Sequence, residues 1–175
     1  MQKDIDYIPQ DDEIEALRRR VLDRGSSEQE SLRHANEELM SHFIYNSVNI
    51  AGDRISRVNT MRTLRTTDTL AEPTLKVANE ILGLRDAYQY MLDVADAPAI
   101  SSQNIVEMHR LYYCRIDNST AGQIRPDTER RNYEAELNEY LQWLNANANT
   151  ECFHTAATAY RRYIYMHPFK GGNIA

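Results

Sequence analysis

The sequence predicts an all-α protein. Apolar residues recur at three- and four-residue intervals over most of the chain, and Ser, Gly and Pro fall where helices would begin and end. No stretch alternates apolar with polar residues over strand length.

Each element follows from this punctuation. Ile14, Leu17 and Val21 have helical spacing, and Gly25 stops that segment. Ser27 and Glu30 have the spacing of a capping box, ahead of a helix with Leu32, Ala35, Leu39, Phe43 and Ser47 on one face and Gly52 at its end. Ser56 caps a short helix from Val58 to Leu64, and the polar, Thr-rich stretch from Arg65 to Pro73 reads as a loop. Pro73 suits the first turn of a long helix whose stripe runs Leu75, Ala78, Ile81/Leu82, Tyr88, Met91/Leu92 and Ala95, closed by Pro98. Ser101 or Ser102 caps the next helix, through Ile105, Met108, Leu111 and Tyr112. After Gly122 and Pro126, Tyr133, Leu137, Leu141 and Leu144 mark another. The last carries Ala156, Ala157, Tyr160, Ile164 and Met166 toward Pro168.

Composition agrees with one globular domain. At 175 residues with 42% hydrophobic content the chain can bury a core, and six Gly with five Pro are too few for a collagen-like or low-complexity chain. A net charge of −6 argues against general nucleic-acid binding, which rests on phosphate neutralisation. No apolar run approaches the ~20 residues that cross a bilayer, and the acidic start MQKDIDYIPQDDEIE does not read as a signal peptide. Cys114 and Cys152 lack metal-ligand spacing; two lone thiols fit a reducing, cytoplasmic setting, with a single disulfide left open.

No Walker-type loop, HExxH, CxxC or GxSxG is present. The segment with chemical promise is HPFKGGN, His167 to Asn173. A His is the side chain best suited to proton transfer near neutral pH. Gly171-Gly172-Asn173 can curl until successive N–H groups point into one concavity, an arrangement that binds phosphate. On spacing alone the bland alternative stands beside this one: a His at a helix end stabilised by the helix dipole, followed by an ordinary turn.

HPFKGGN resembles the signature of Fic-domain proteins, HPFx(D/E)GNGR. Three further stretches carry the resemblance: His109 to Tyr112 with Ala121-Gly122-Gln123-Ile124-Arg125, the Ala-rich helix from Ala156 to Tyr165, and Phe43 to Asp53, similar to the family's IYNSxxIEGN helix end. The resemblance covers roughly residues 40 to 175. It implies a Fic-fold helical domain in which residues 1–56 form N-terminal helices with an inhibitory-type motif. Residues 57–175 would be the core up to the catalytic loop, the whole one structural unit. It also implies transfer of AMP from ATP to a Ser, Thr or Tyr hydroxyl of a target protein, with self-modification an option and Mg²⁺ as the accompanying ion. His167 would be the general base and Phe169 the anchor of the loop. Phe169, Lys170, Gly171, Gly172 and Asn173 would form the nucleotide-binding stretch, and Gly122 and Arg125 would belong to a short flap that docks the target.

Three departures qualify it. Gly171 stands at the acidic position, so the carboxylate expected to hold Mg²⁺ is missing and the ion is in doubt. After Asn173 the chain reads Ile174-Ala175 where the family has Gly-Arg, so the chain is expected to lack the final helices. In Ser47-Val48-Asn49-Ile50-Ala51-Gly52, Ala51 replaces the Glu of the inhibitory pattern (S/T)xxxE(G/N), which implies relieved autoinhibition through Ser47, Ala51 and Gly52. The rival readings are transfer of another phosphate-containing group and a degenerate nucleotide-binding or interaction module. No nucleic-acid or membrane partner is expected, while an amphipathic N-terminal helix offers a homodimer surface. His109, on an apolar helix, reads as structural, and His34, His42 and His154 have no ligand spacing.

Overall fold

A computed structural model describes residues 12–13, 16, 19–20, 29–66, 74–148 and 152–173. Residues 12–13, 16 and 19–20 are helical, and from residue 29 on the described residues form six helices and no strand: α1 (Gln29–Ile50), α2 (Arg57–Thr66), α3 (Leu75–Val94), α4 (Ser102–Tyr113), α5 (Tyr133–Asn147) and α6 (Cys152–Met166). Ile14, Leu17 and Val21 of the expected first helix, its stop at Gly25 and the Ser27 cap lie outside the described residues, as does the loop from 67 to 73.

Polar caps set the boundaries. Ser56 Oγ accepts from Asn59 N at 3.2 Å. Ser101 and Asn104 form a reciprocal capping box, which decides between the two candidate serines. Asn132 Oδ1 accepts from Ala135 N at 2.7 Å. At α3 the cap is Thr74, so the helix starts after Pro73 rather than on it. Gly52, at φ 103°, ends α1: Asp53 N donates to Val48 O and Gly52 N to Asn49 O, the paired bonds of a Schellman motif.

The core divides into two clusters that share α4. Ile44, Val48, Val77, Ile81, Leu84 and Tyr112 form one, and Ile105, Leu137, Leu141, Met166 and Phe169 the other. Ile105 and Tyr112, two turns apart, put one end of α4 in each. A fully buried side chain such as Ile81 or Leu137 contributes roughly 2–3 kcal/mol.

Two faces differ from the sequence reading. On α1 the buried residues are Ser41, Ile44, Ser47 and Val48, while Ala35, Leu39 and Phe43 are exposed. The helix carries two apolar stripes about 100° apart, and α2 and α3 cover the one through Ile44. On α6, Thr155, Ala159 and Met166 are buried, whereas Ala156, Ala157 and Tyr160 face outward. That is again one residue's rotation about the helix axis. Gly83 shows why α3 and α4 approach so closely: a Cβ there would lie 3.0 Å from the carbonyl carbon of Tyr112 and closer still to its oxygen.

Candidate active site

The last turn of α6 delivers His167. Its backbone N still donates to Tyr163 O at 3.0 Å, but its φ of 53° turns the chain out of the helix just before Pro168. A non-glycine residue held in the left-handed region stores strain, a state that persists only where surrounding contacts impose it. Here they do. Ring nitrogen Nδ1 lies 3.0 Å from Ile164 O. A carbonyl only accepts, so Nδ1 carries a proton, and in the neutral ring Nε2 is the nitrogen with the lone pair. The half-buried imidazole thus presents a basic nitrogen.

Beyond it the loop is clamped from three sides. Phe169 is fully buried, and its ring lies parallel to His109 with centroids 3.8 Å apart. The flap holds the outer edge, with Arg125 N donating to Pro168 O at 2.8 Å and Ile124 bridged to Phe169. Asn173, 4% exposed, closes the loop on itself: Oδ1 accepts from Phe169 N at 2.9 Å, and Nδ2 donates to Phe169 O at 2.7 Å and Gly171 O at 3.2 Å.

His109 joins the flap to the loop. Gly122 N donates to its Nδ1 at 2.9 Å, which leaves the proton on Nε2, and Nε2 donates to Gly171 O at 2.9 Å. Burial holds this imidazole below its usual pKa, with the Gly171 bond opposing in part. It is a neutral strut, in agreement with the structural reading of the sequence. Gly122, at φ 72°, fits against Arg110 and Val106, where a Cβ would come within 3.1 Å of the Arg110 side chain.

These bonds turn much of the loop's backbone inward. The carbonyls of Ile164, Met166, Pro168, Phe169 and Gly171 are all taken by protein donors, that of Met166 by Arg131 at 3.0 Å. The N–H groups of Gly171 and Gly172, like the carbonyls of His167, Lys170 and Gly172, make no hydrogen bond among the described residues, while the N–H of Lys170 faces Gln123 O across the bridge. Two successive unclaimed N–H groups suit an anion. On the flap side a cleft of about 340 Å³ opens with Arg125 and Lys170 on its walls.

The loop from His167 to Asn173 offers a magnesium ion no carboxylate. Gly171 supplies no ligand and has no room for one, since a Cβ there would fall on the Tyr113 hydroxyl and 2.7 Å from its Cζ. Among the described residues no three His, Cys, Asp or Glu side chains gather where a metal could bind.

The expected site residues therefore take different places. His167 and the 170–172 backbone meet at one loop. The side chains of Phe169 and Asn173 face inward and anchor the loop. Ser47 is buried at the end of α1, with Ala51 and Gly52 exposed beyond it. Sequence reasoning missed Tyr113, and it missed Arg131, which also forks onto both carboxylate oxygens of Glu136.

No family model matches the chain. It is 28% identical over 170 residues to "Protein adenylyltransferase Fic" of Aedes aegypti, covering 89% of this chain and 34% of that protein. The protein of the same name from Drosophila virilis is 25% identical over 155 residues, covering 82% and 32%. The chain thus spans about a third of the length of these curated relatives. Among solved structures, two forms of a Fic-1 fragment from C. elegans superpose with TM-scores of 0.79 and 0.77 at 24% identity, covering 93% of this chain and 52% of each. The chain thus has the fold of these Fic-1 structures and is similar in sequence to proteins named "Protein adenylyltransferase Fic".

Proposed function

We infer that the chain is the catalytic part of a protein adenylyltransferase, moving AMP from ATP to a Ser, Thr or Tyr hydroxyl of a target protein. The observation that carries this reading is the pair of unclaimed N–H groups, Gly171 and Gly172, in the loop that His167 opens. His167 Nε2 takes the proton as the target's oxygen attacks the α-phosphorus, the bond to the bridging oxygen breaks, and pyrophosphate leaves. The free N–H groups of Gly171 and Gly172, with Lys170 and Arg125 nearby, hold the phosphate charge, so that positioning and electrostatics supply most of the rate. Phe169, Asn173 and His109 hold that geometry without touching the nucleotide. The edge from Gly122 to Arg125 is the docking side for the target. The relatives' name, "Protein adenylyltransferase Fic", agrees with this reading.

Ala51 bears on control. Its methyl sits in an exposed turn and can form no ion pair, which supports an activity free of restraint from α1. The half-exposed Tyr160 and the highly exposed Tyr165 are candidate hydroxyls for self-modification, and the outer stripe of α1, with Leu39 and Phe43, is a candidate self-association face. Cys114, a free thiol, agrees with a reducing compartment.

The test is incorporation of label from α-³²P-ATP. His167→Ala should lower incorporation by about 10²–10⁴-fold, the usual worth of a general base; labelling at the unsubstituted rate would remove His167 from the chemistry. In the same assay Ala51→Glu should lower the signal, and an unchanged signal would sink the control reading.

A further inference from the structure

We propose that the hydroxyl of Tyr113 is a phosphate-binding group of the catalytic loop, occupying the space that a side chain at position 171 would otherwise fill. The inference rests on the adenylyl-transfer reading above and names a residue that reading does not use.

Tyr113 ends α4 one residue after Tyr112, and successive helical residues point about 100° apart. Tyr112 therefore enters the core while Tyr113 turns toward the loop. The phenol is held on its flanks, stacked on His109 at 5.2 Å and 25° and tilted against Tyr112 at 5.8 Å and 55°. It lies along Gly171 and Gly172, and only glycines permit this. A Cβ at 172 would meet Tyr112 Cε1 at 2.8 Å and Tyr113 Cδ2 at 2.9 Å, and one at 171 would run into the hydroxyl itself. The direction in which a side chain would leave residue 171 therefore ends on Tyr113 Oη.

That hydroxyl makes no hydrogen bond among the described residues, and the neighbouring N–H groups of Gly171 and Gly172 are equally unclaimed. One side-chain O–H and two backbone N–H groups meet with no carboxylate between them. Such a set suits a polyphosphate oxygen, which only accepts. Where a carboxylate at 171 would recruit a cation to meet the nucleotide, the phenol meets the oxygen directly. Hydrogen bonds to charged acceptors are among the stronger ones, so one is worth about tenfold or more in affinity.

The measurement is calorimetric titration of the full chain with the α,β-methylene analogue of ATP, for the unsubstituted protein and Tyr113→Phe. The substitution keeps the ring and its stacking on His109. The expected result is a Kd raised about tenfold or more in Tyr113→Phe, with the thermal midpoint of the unliganded variant within about 2 °C of the parent, since the hydroxyl has no protein partner to lose. Equal affinities would overturn the proposal, as would a loss of affinity accompanied by a lower unliganded midpoint, which would mark a packing role. Failure of the unsubstituted protein to bind the analogue would overturn the adenylyl-transfer reading itself, and this assignment with it.

Discussion

Replacing His109 by Phe removes two hydrogen bonds while keeping a ring between Phe169 and Tyr113. The cost follows from what each partner has left. Gly122 N loses its acceptor, His109 Nδ1 at 2.9 Å, and no second acceptor is available to it among the described residues. A buried donor left unmet costs about 1–3 kcal/mol. Gly171 O loses the Nε2 bond but keeps Asn173 Nδ2 at 3.2 Å, so only about 0.5–1.5 kcal/mol is at stake there. The stability gap in urea at pH 8 should therefore be roughly 2–4 kcal/mol. It should also depend on pH. Burial lowers the His109 pKa in the folded chain, so the unfolded chain takes up the proton first. The stability that His109 contributes is whole above the unfolded value of about 6.5 and is lost as pH falls from there through the folded value. The Phe variant has no such proton to gain, and the gap should narrow between pH 7 and pH 5. A gap under about 1 kcal/mol, or one that stays constant over this range, would refute the view of His109 as a buried neutral strut.

Two further outcomes are expected. Gly83→Ala should destabilise by roughly 3 kcal/mol in urea denaturation, because its methyl meets the Tyr112 backbone, which cannot swing aside as a side chain could. Glu80, mostly buried, has Oε2 without a hydrogen bond among the described residues, and burial raises its pKa despite Lys76 at 3.5 Å. A raised carboxyl favours the fold below its unfolded value and disfavours it as pH climbs through the folded one. Glu80→Gln should thus raise the urea midpoint at pH 8 and leave it near the parent's at pH 4; equal shifts at both would contradict this.

Much of this was legible as punctuation. Ser56, Ser101 and Gly52 act locally, through bonds to residues two to five positions away, and a sequence reading finds them. Helix faces were harder. Leu39 and Phe43 form as good a stripe on α1 as Met40, Ile44 and Val48, and only the arrival of α2 and α3 decides which is covered. At the site, the HPFKGGN loop announced itself, but what holds it did not. Tyr113 differs from its core neighbour Tyr112 by one position in a helix, and Arg131 reaches Met166 across 35 residues. Neither leaves a pattern that spacing could reveal. Asn173 was visible as part of the loop, yet its inward direction depends on three bonds that exist only once the turn has closed.

The fit of Tyr113 over Gly171 and Gly172 also constrains descent. No side chain can appear at 171 while the phenol lies there, and a smaller residue at 113 would leave a gap beside His109. The two positions are therefore bound by the order in which they change. Placing an acid at 171 requires the phenol at 113 to move or be replaced. Exchanging either residue alone between this protein and a relative should do worse than exchanging both, so single-site grafts would undervalue each.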